Sequence, residues 1–158
     1  MAVSLPQFAE AVRRYCDWCE GTPRGEREEA QTAFDLLVNL LAGIPPVQGG
    51  FGGGAGREIS HDDWKRMHSR FASMPFRYYE SRHNPLDIEN REYALGDIAD
   101  DLADIWRDLK PALELYDNND HAAAAAEWQF DFEIHWGRHA TAALYALHCW
   151  LADNRPEP

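Results

Sequence analysis

Apolar residues recur at helical spacing through most of this chain, and the pattern predicts an all-α bundle of about five main helices. The first carries Leu5, Phe8, Val12, Tyr15 and Cys19 on one face, with Ser4 as its N-cap and Gly21-Thr22-Pro23 as its stop. The second opens on Glu26 to Glu29, acidic residues that suit a helix N-terminus. It continues through Phe34, Leu37, Val38 and Leu41 to Gly43-Ile44-Pro45-Pro46. Ser60-His61-Asp62-Asp63 resembles a capping box ahead of Trp64, Met67, His68 and Phe71, and this third helix should end before Pro75. The fourth starts at Asp97 with the stripe Ile98, Leu102, Ile105 and Leu109, and Pro111 is expected to kink or divide it. Asn118-Asn119 breaks the chain. Asp120 then caps a long last helix that runs to about Ala152 if Gly137 is tolerated inside it.

Two stretches fall outside this pattern. Residues 47–57 are dominated by glycine, with too few side chains to pack and a large ordering entropy, and read as a flexible connector. A phosphate loop is the weaker reading, because no Lys-Ser/Thr pair and no strand accompany the glycines. From Met74 to Leu95 the periodicity lapses: Phe76, Tyr78 and Tyr79 suggest a short helical turn, and Asn84-Pro85 marks a turn.

Composition narrows the class. With 158 residues, 45% of them hydrophobic, and six Trp, the chain reads as one packed helical domain spanning 1–158. A net charge of -12 with no basic stripe argues against nucleic acid, while leaving an acidic surface that could engage a protein partner. Arginine far outnumbers lysine, a bias expected of a GC-rich bacterial genome. The opening residues lack a basic and apolar leader and no apolar run reaches membrane-spanning length, so the expectation is a soluble cytoplasmic protein. Three cysteines are too few for a disulfide framework, which agrees with a reducing compartment. Cys16-x-x-Cys19 could be a redox pair or half a zinc site, but its place on the first apolar face favours buried thiols; Cys149, after His148, could join a mixed site only if the termini meet.

The candidate chemistry lies on the last two helices. At about 100° per residue, Asp97, Asp101, Asp104 and Asp108 share a narrow sector bordering the apolar stripe. Trp128, Phe132, His135, His139, Ala142, Ala143, Ala146 and Trp150 share a face of the final helix, flanked by Asp131 and Arg138. The two faces are expected to meet as a polar seam. An i, i+4 histidine pair can chelate a divalent transition metal, and Asp101 or Asp104 is placed to complete the site. The same residues could instead form Asp–His pairs for acid–base work. The plainer reading is structural: His135, His139 and Arg138 neutralise the aspartate row, since buried charges persist when paired. On that reading the protein is a non-catalytic binding or regulatory module without cofactor; on the metal reading it is a metal-dependent hydrolase. No Ser-His-Asp order or nucleophile elbow is present to suggest another enzyme class.

Two segments carry a resemblance, Asp100-Asp101-Leu102-Ala103-Asp104-Ile105-Trp106-Arg107-Asp108-Leu109-Lys110 and Phe132-Glu133-Ile134-His135-Trp136-Gly137-Arg138-His139-Ala140. They resemble the two most recognisable blocks of an uncharacterised bacterial family, the domain of unknown function 5063, with Trp106 standing where Tyr is expected. The resemblance implies a small helical protein and transfers no catalytic residue. Glu26-x-x-Glu29 and Asp101-x-x-Asp104 are also superficially similar to the carboxylate pairs with which all-α nucleoside triphosphate pyrophosphohydrolases hold Mg²⁺, although the second pair has Asp where that family has Glu.

Overall fold

The computed structural model describes residues 3–44 and 55–157. The chain forms α1 (Leu5–Glu20), α2 (Glu26–Ala42), α3 (His61–Arg70), a hairpin of β1 (Tyr78–Ser81) and β2 (Ala94–Asp97), α4 (Ile98–Asp117), α5 (His121–Asp131) and α6 (Gly137–Asp153). It is a helical bundle, as the periodicity predicts. Most of the glycine-rich connector, residues 47–54, lies outside the described residues.

The helix boundaries follow the local chemistry. Ser4 accepts from the Gln7 amide while the Gln7 side chain accepts from the Ser4 amide, satisfying two donors at the start of α1. Ser60 caps α3 at the Asp63 amide, and Asp120 caps α5 at the Ala123 amide. Asn119, at φ 65°, occupies the left-handed region that ends the chain's run through α4, a conformation Asn tolerates better than most residues. Pro111 lies within α4 and does not divide it.

The core is built around α4, which packs against α1, α3, α5 and α6. Ile98, Leu102, Ile105 and Leu109 are fully buried, and so are Phe8, Val12 and Tyr15 of α1. Two polar groups buried in this core are matched by backbone carbonyls: the Tyr15 hydroxyl donates to the Leu102 carbonyl at 2.8 Å, and the Trp128 indole to the Leu109 carbonyl at 3.1 Å. Cys16 and Cys19 are buried and burial pushes both thiols up, which keeps them protonated; Cys149 is exposed. The buried-thiol expectation fits this placement.

No helical turn forms at Phe76, Tyr78 and Tyr79: the two tyrosines lie on the antiparallel strand β1, pairing Tyr78 with Asp97 and Tyr79 with Gly96. The partner strand is remote in sequence, so a local period could not reveal it. The turn at Asn84-Pro85 is present, closed by the Asp87 amide on the Asn84 carbonyl at 3.2 Å.

The last helix is not uniformly α-helical. Residues Phe132–Trp136 form a π turn between α5 and α6. A π turn takes up one extra residue, so everything after it is rotated by about 100° relative to a continuous α-helix. Trp136, expected ~80° away from Trp128, comes to within ~20° of it. The buried face after the turn is therefore Trp136, Gly137, Ala140, Ala143 and Leu147, and His135 and His139 sit at its border, not among the core residues as the uninterrupted helix predicts. Gly137 makes room for the turn: a Cβ there would meet the Phe132 carbonyl oxygen at 2.5 Å and its ring at 2.7 Å.

Candidate functional site

The first three turns of α4, the π turn and the start of α6 bring two histidines over three aspartates. His135 Nδ1 lies 2.6 Å from Asp108 Oδ2, and His139 Nδ1 lies 2.7 Å from Asp101 Oδ1. An ionised carboxylate only accepts, so each Nδ1 donates its proton, and in the neutral imidazole each Nε2 carries a lone pair. The two Nε2 atoms face each other at 3.3 Å. Asp104 Oδ2 faces both, 3.4 Å from His139 Nε2 and 3.7 Å from His135 Nε2. With both imidazoles neutral, three acceptor atoms converge on one point. Asp104, His135 and His139 are the group among the described residues whose ligand atoms could close on a metal ion.

The surroundings hold this arrangement. The Trp64 indole donates to Asp104 Oδ1 at 2.8 Å, and Arg107 reaches the same oxygen at 2.7 Å, leaving Oδ2 for the histidines. The Tyr79 hydroxyl donates to Asp101 Oδ2. Burial and the Asp101 charge push the Tyr79 phenol well up, so it remains a donor at any physiological pH. Asp101 and Asp104 are buried, while the side chains of His135 and His139 are 36% and 23% exposed, so solvent reaches the imidazoles.

The histidine pKa values move in one direction. The hydrogen bond to Asp108 raises His135, helped by the charges of Asp108 and Asp104 against burial. Burial pulls His139 down, but the Asp101 hydrogen bond and the charges of Asp101 and Asp104 outweigh it, and the net shift is upward.

Other residues expected at the seam are placed differently. Asp97 is not on the α4 face; it is the N-cap, accepting from the Ala99 and Asp100 amides at 3.0 and 3.4 Å and pairing with Arg77 at 3.1 Å. Arg138 does not neutralise the aspartates; it donates toward the His83 ring at 3.0 Å, and the cation on the row is Arg107, one turn beyond Asp104. Glu29 lies apart from the seam: its carboxylate accepts from Arg70 and from the Arg24 amide, so the paired-carboxylate resemblance finds no shared site. Trp64 and Tyr79 join the site without any local spacing that marks them as part of it. Trp64 was legible as a member of α3's stripe, whereas Tyr79 depends on the hairpin.

Asp131 lines a polar recess of about 370 Å³ beside Asp108, with Arg57, Arg107, Pro111 and Glu127 among the other walls. Burial, then the charges of Asp108 and Glu127, push its carboxyl up to about 7. The folded pKa exceeds the unfolded value, so the folded protein holds a proton there that the unfolded chain releases between about pH 4 and 7. Stability therefore falls as pH rises through that window. Asp131→Asn should stabilise the protein by about 1 to 2 kcal/mol at pH 8, after allowing for solvent screening of a half-buried group, and leave it unchanged near pH 4. Urea denaturation at the two pH values checks this.

Fold and site together define a small helical protein whose last helix sets a histidine pair over an aspartate row. The chain belongs to the family described as domain of unknown function (DUF5063), whose sequence pattern matches residues 57–153, a span that holds α3, the hairpin and every residue of the seam. The crystal structure of protein BF1032 from Bacteroides fragilis is similar in fold, with a TM-score of 0.72 at 20% identity, covering 96% of this chain and 93% of that one. No curated protein matches. Among the described residues no helix is long and apolar enough to cross a membrane.

Proposed function

We propose that this protein binds one divalent transition-metal ion through His135 Nε2, His139 Nε2 and Asp104 Oδ2, in a site of the hydrolytic type. The observation that carries this reading is the spacing of the three acceptors. Ligands about 2.1 Å from a tetrahedral Zn²⁺ lie ~3.4 Å from one another, and the three separations here are 3.3, 3.4 and 3.7 Å. Lone pairs held this close repel unless a cation or a proton sits between them. Each imidazole is also oriented by a carboxylate on its other nitrogen, the outer-shell arrangement that fixes the tautomer of metal-binding histidines. Asp101 has this outer role, and Asp104 is the carboxylate that faces the ion.

Three protein ligands at a partly exposed position support a catalytic site over a structural one, because structural zinc sites are closed by four. The fourth corner would take water, made more acidic by the ion, or a substrate oxygen. Two imidazoles disfavour Mg²⁺, which prefers oxygen ligands. The competing reading is a metal-free seam in which imidazolium groups neutralise Asp101, Asp104 and Asp108, consistent with the upward histidine shifts.

Zn²⁺ titration at pH 7.5 separates the two. One ion per chain should bind, and at free Zn²⁺ about 100 times Kd the folded state gains about 2.7 kcal/mol, a rise in Tm of roughly 5 to 10 °C. An unchanged Tm with Zn²⁺, Co²⁺ and Mn²⁺ alike overturns the metal reading in favour of the neutralised seam.

A further inference from the structure

Tyr79 reaches the seam from the hairpin, and the hairpin is built to let it. Tyr79 pairs with Gly96 across the two strands, and a Cβ on residue 96 would come within 2.6 Å of the ring carbons Cε1 and Cε2. The ring lies across the glycine, as an aromatic side chain does when it covers a bare position on the neighbouring strand. Phe76 meets it edge-on, with ring centres 6.5 Å apart. The Ile98 amide donates to the Arg77 carbonyl at 2.9 Å, which ties the start of β1 to the start of α4.

From that position the Tyr79 hydroxyl binds one oxygen of Asp101, and the other oxygen holds His139 Nδ1 at 2.7 Å. A carboxylate bonded through a single oxygen can turn about its terminal torsion, which has broad wells. One bonded through both oxygens cannot turn without losing a bond. The phenol therefore fixes the plane of Asp101, and Asp101 fixes the ring and tautomer of His139.

We propose that Tyr79, seated over Gly96, is a positioning residue for His139, so that the hairpin sets the metal affinity of a site it does not itself ligate; this rests on the metal reading given above. Its neighbour Tyr78 faces the other side of the strand and is 54% exposed, which makes it an internal control.

The test is Co²⁺ titration of the unmodified chain and of Tyr79→Phe, Gly96→Ala and Tyr78→Phe, following both Kd and the visible absorption of the bound ion. The His139 tautomer in the metal-free proteins is read in parallel from its ring nitrogen shifts. Tyr79→Phe should weaken Co²⁺ binding by about 3- to 10-fold, below the range for direct outer-shell partners because the phenol is one bond further out. It should also shift the absorption bands and give His139 a mixed tautomer population. Gly96→Ala should do the same by displacing the ring, and Tyr78→Phe should do neither. A Tyr79→Phe protein with unaltered affinity, spectrum and tautomer overturns the proposal. If the unmodified protein binds no Co²⁺, the metal reading fails by itself, and the tautomer comparison still decides whether Tyr79 positions His139.

Discussion

Replacing His139 by alanine is expected to weaken Zn²⁺ binding by more than about 100-fold, the upper figure for loss of an outer-shell partner, because it removes a direct ligand and frees Asp101 at once. His135→Ala should do the same through Asp108. Asp104→Asn should also lose most affinity, since a neutral amide oxygen cannot replace the charge facing both Nε2 atoms. Calorimetric titration of each variant checks this, and affinity retained in His139→Ala would show that the ion binds elsewhere.

The pH dependence adds a sign. Without metal, both imidazoles have folded pKa values above the unfolded one, so their contribution to stability is full below about pH 6.5 and is lost as pH rises through the folded values. Metal binding runs the other way, since the ion requires neutral imidazole and competes with the proton. The stabilisation by Zn²⁺ should therefore grow with pH over the range in which the metal-free seam weakens. Thermal unfolding with and without Zn²⁺ at pH 6 and 8 reads both trends.

The largest loss of stability is expected at Glu29→Ala, about 3 to 5 kcal/mol. The side chains of Glu29 and Arg70 are 2% and 9% exposed, and their ion pair joins α2 to the end of α3. Arg70 is further held by the Trp18 carbonyl at 3.1 Å and lies over the Trp18 ring at 4.9 Å. Removing the glutamate leaves a guanidinium enclosed by aromatic rings without its counter-charge, and also takes the acceptor from the Arg24 amide. The exposed pair Arg14–Glu10 gives the contrast: Glu10→Ala should cost less than about 1 kcal/mol. A double replacement, Glu29→Leu with Arg70→Met, should cost less than Glu29→Ala, because no unpaired charge remains. Urea denaturation of the set measures it, and a Glu29→Ala loss as small as that of Glu10→Ala would show that Arg70 finds water or another partner.

The seam was legible where its spacing is local. Asp101, Asp104 and Asp108 recur at intervals of three and four, as do His135 and His139, and these intervals bring each set together on any α-helix. The division of labour was not legible. Asp101 and Asp108 bind Nδ1 atoms while Asp104 faces Nε2 atoms, and that depends on how far α6 slides and turns against α4. Asp97 fits the same interval yet serves as a cap, because the helix begins at Ile98, one residue after it.

Sequence alone determined where most of the helices lie, the caps at Ser4, Ser60 and Asp120, and the two sets of charged residues, since period and capping are properties of neighbours along the chain. Tertiary structure decided the phase of the last helix and the identity of the outer partners. The π turn comes from packing: Trp128 and Trp136 are both fully buried, Trp136 donates its indole proton to the Trp128 carbonyl at 3.0 Å, and a regular α-helix would hold the two side chains on different faces. That one extra residue rotates the histidines from the core to the border above α4. Tyr79 joins the seam for a similar reason, because strand pairing across the hairpin depends on contacts between residues that no local pattern links.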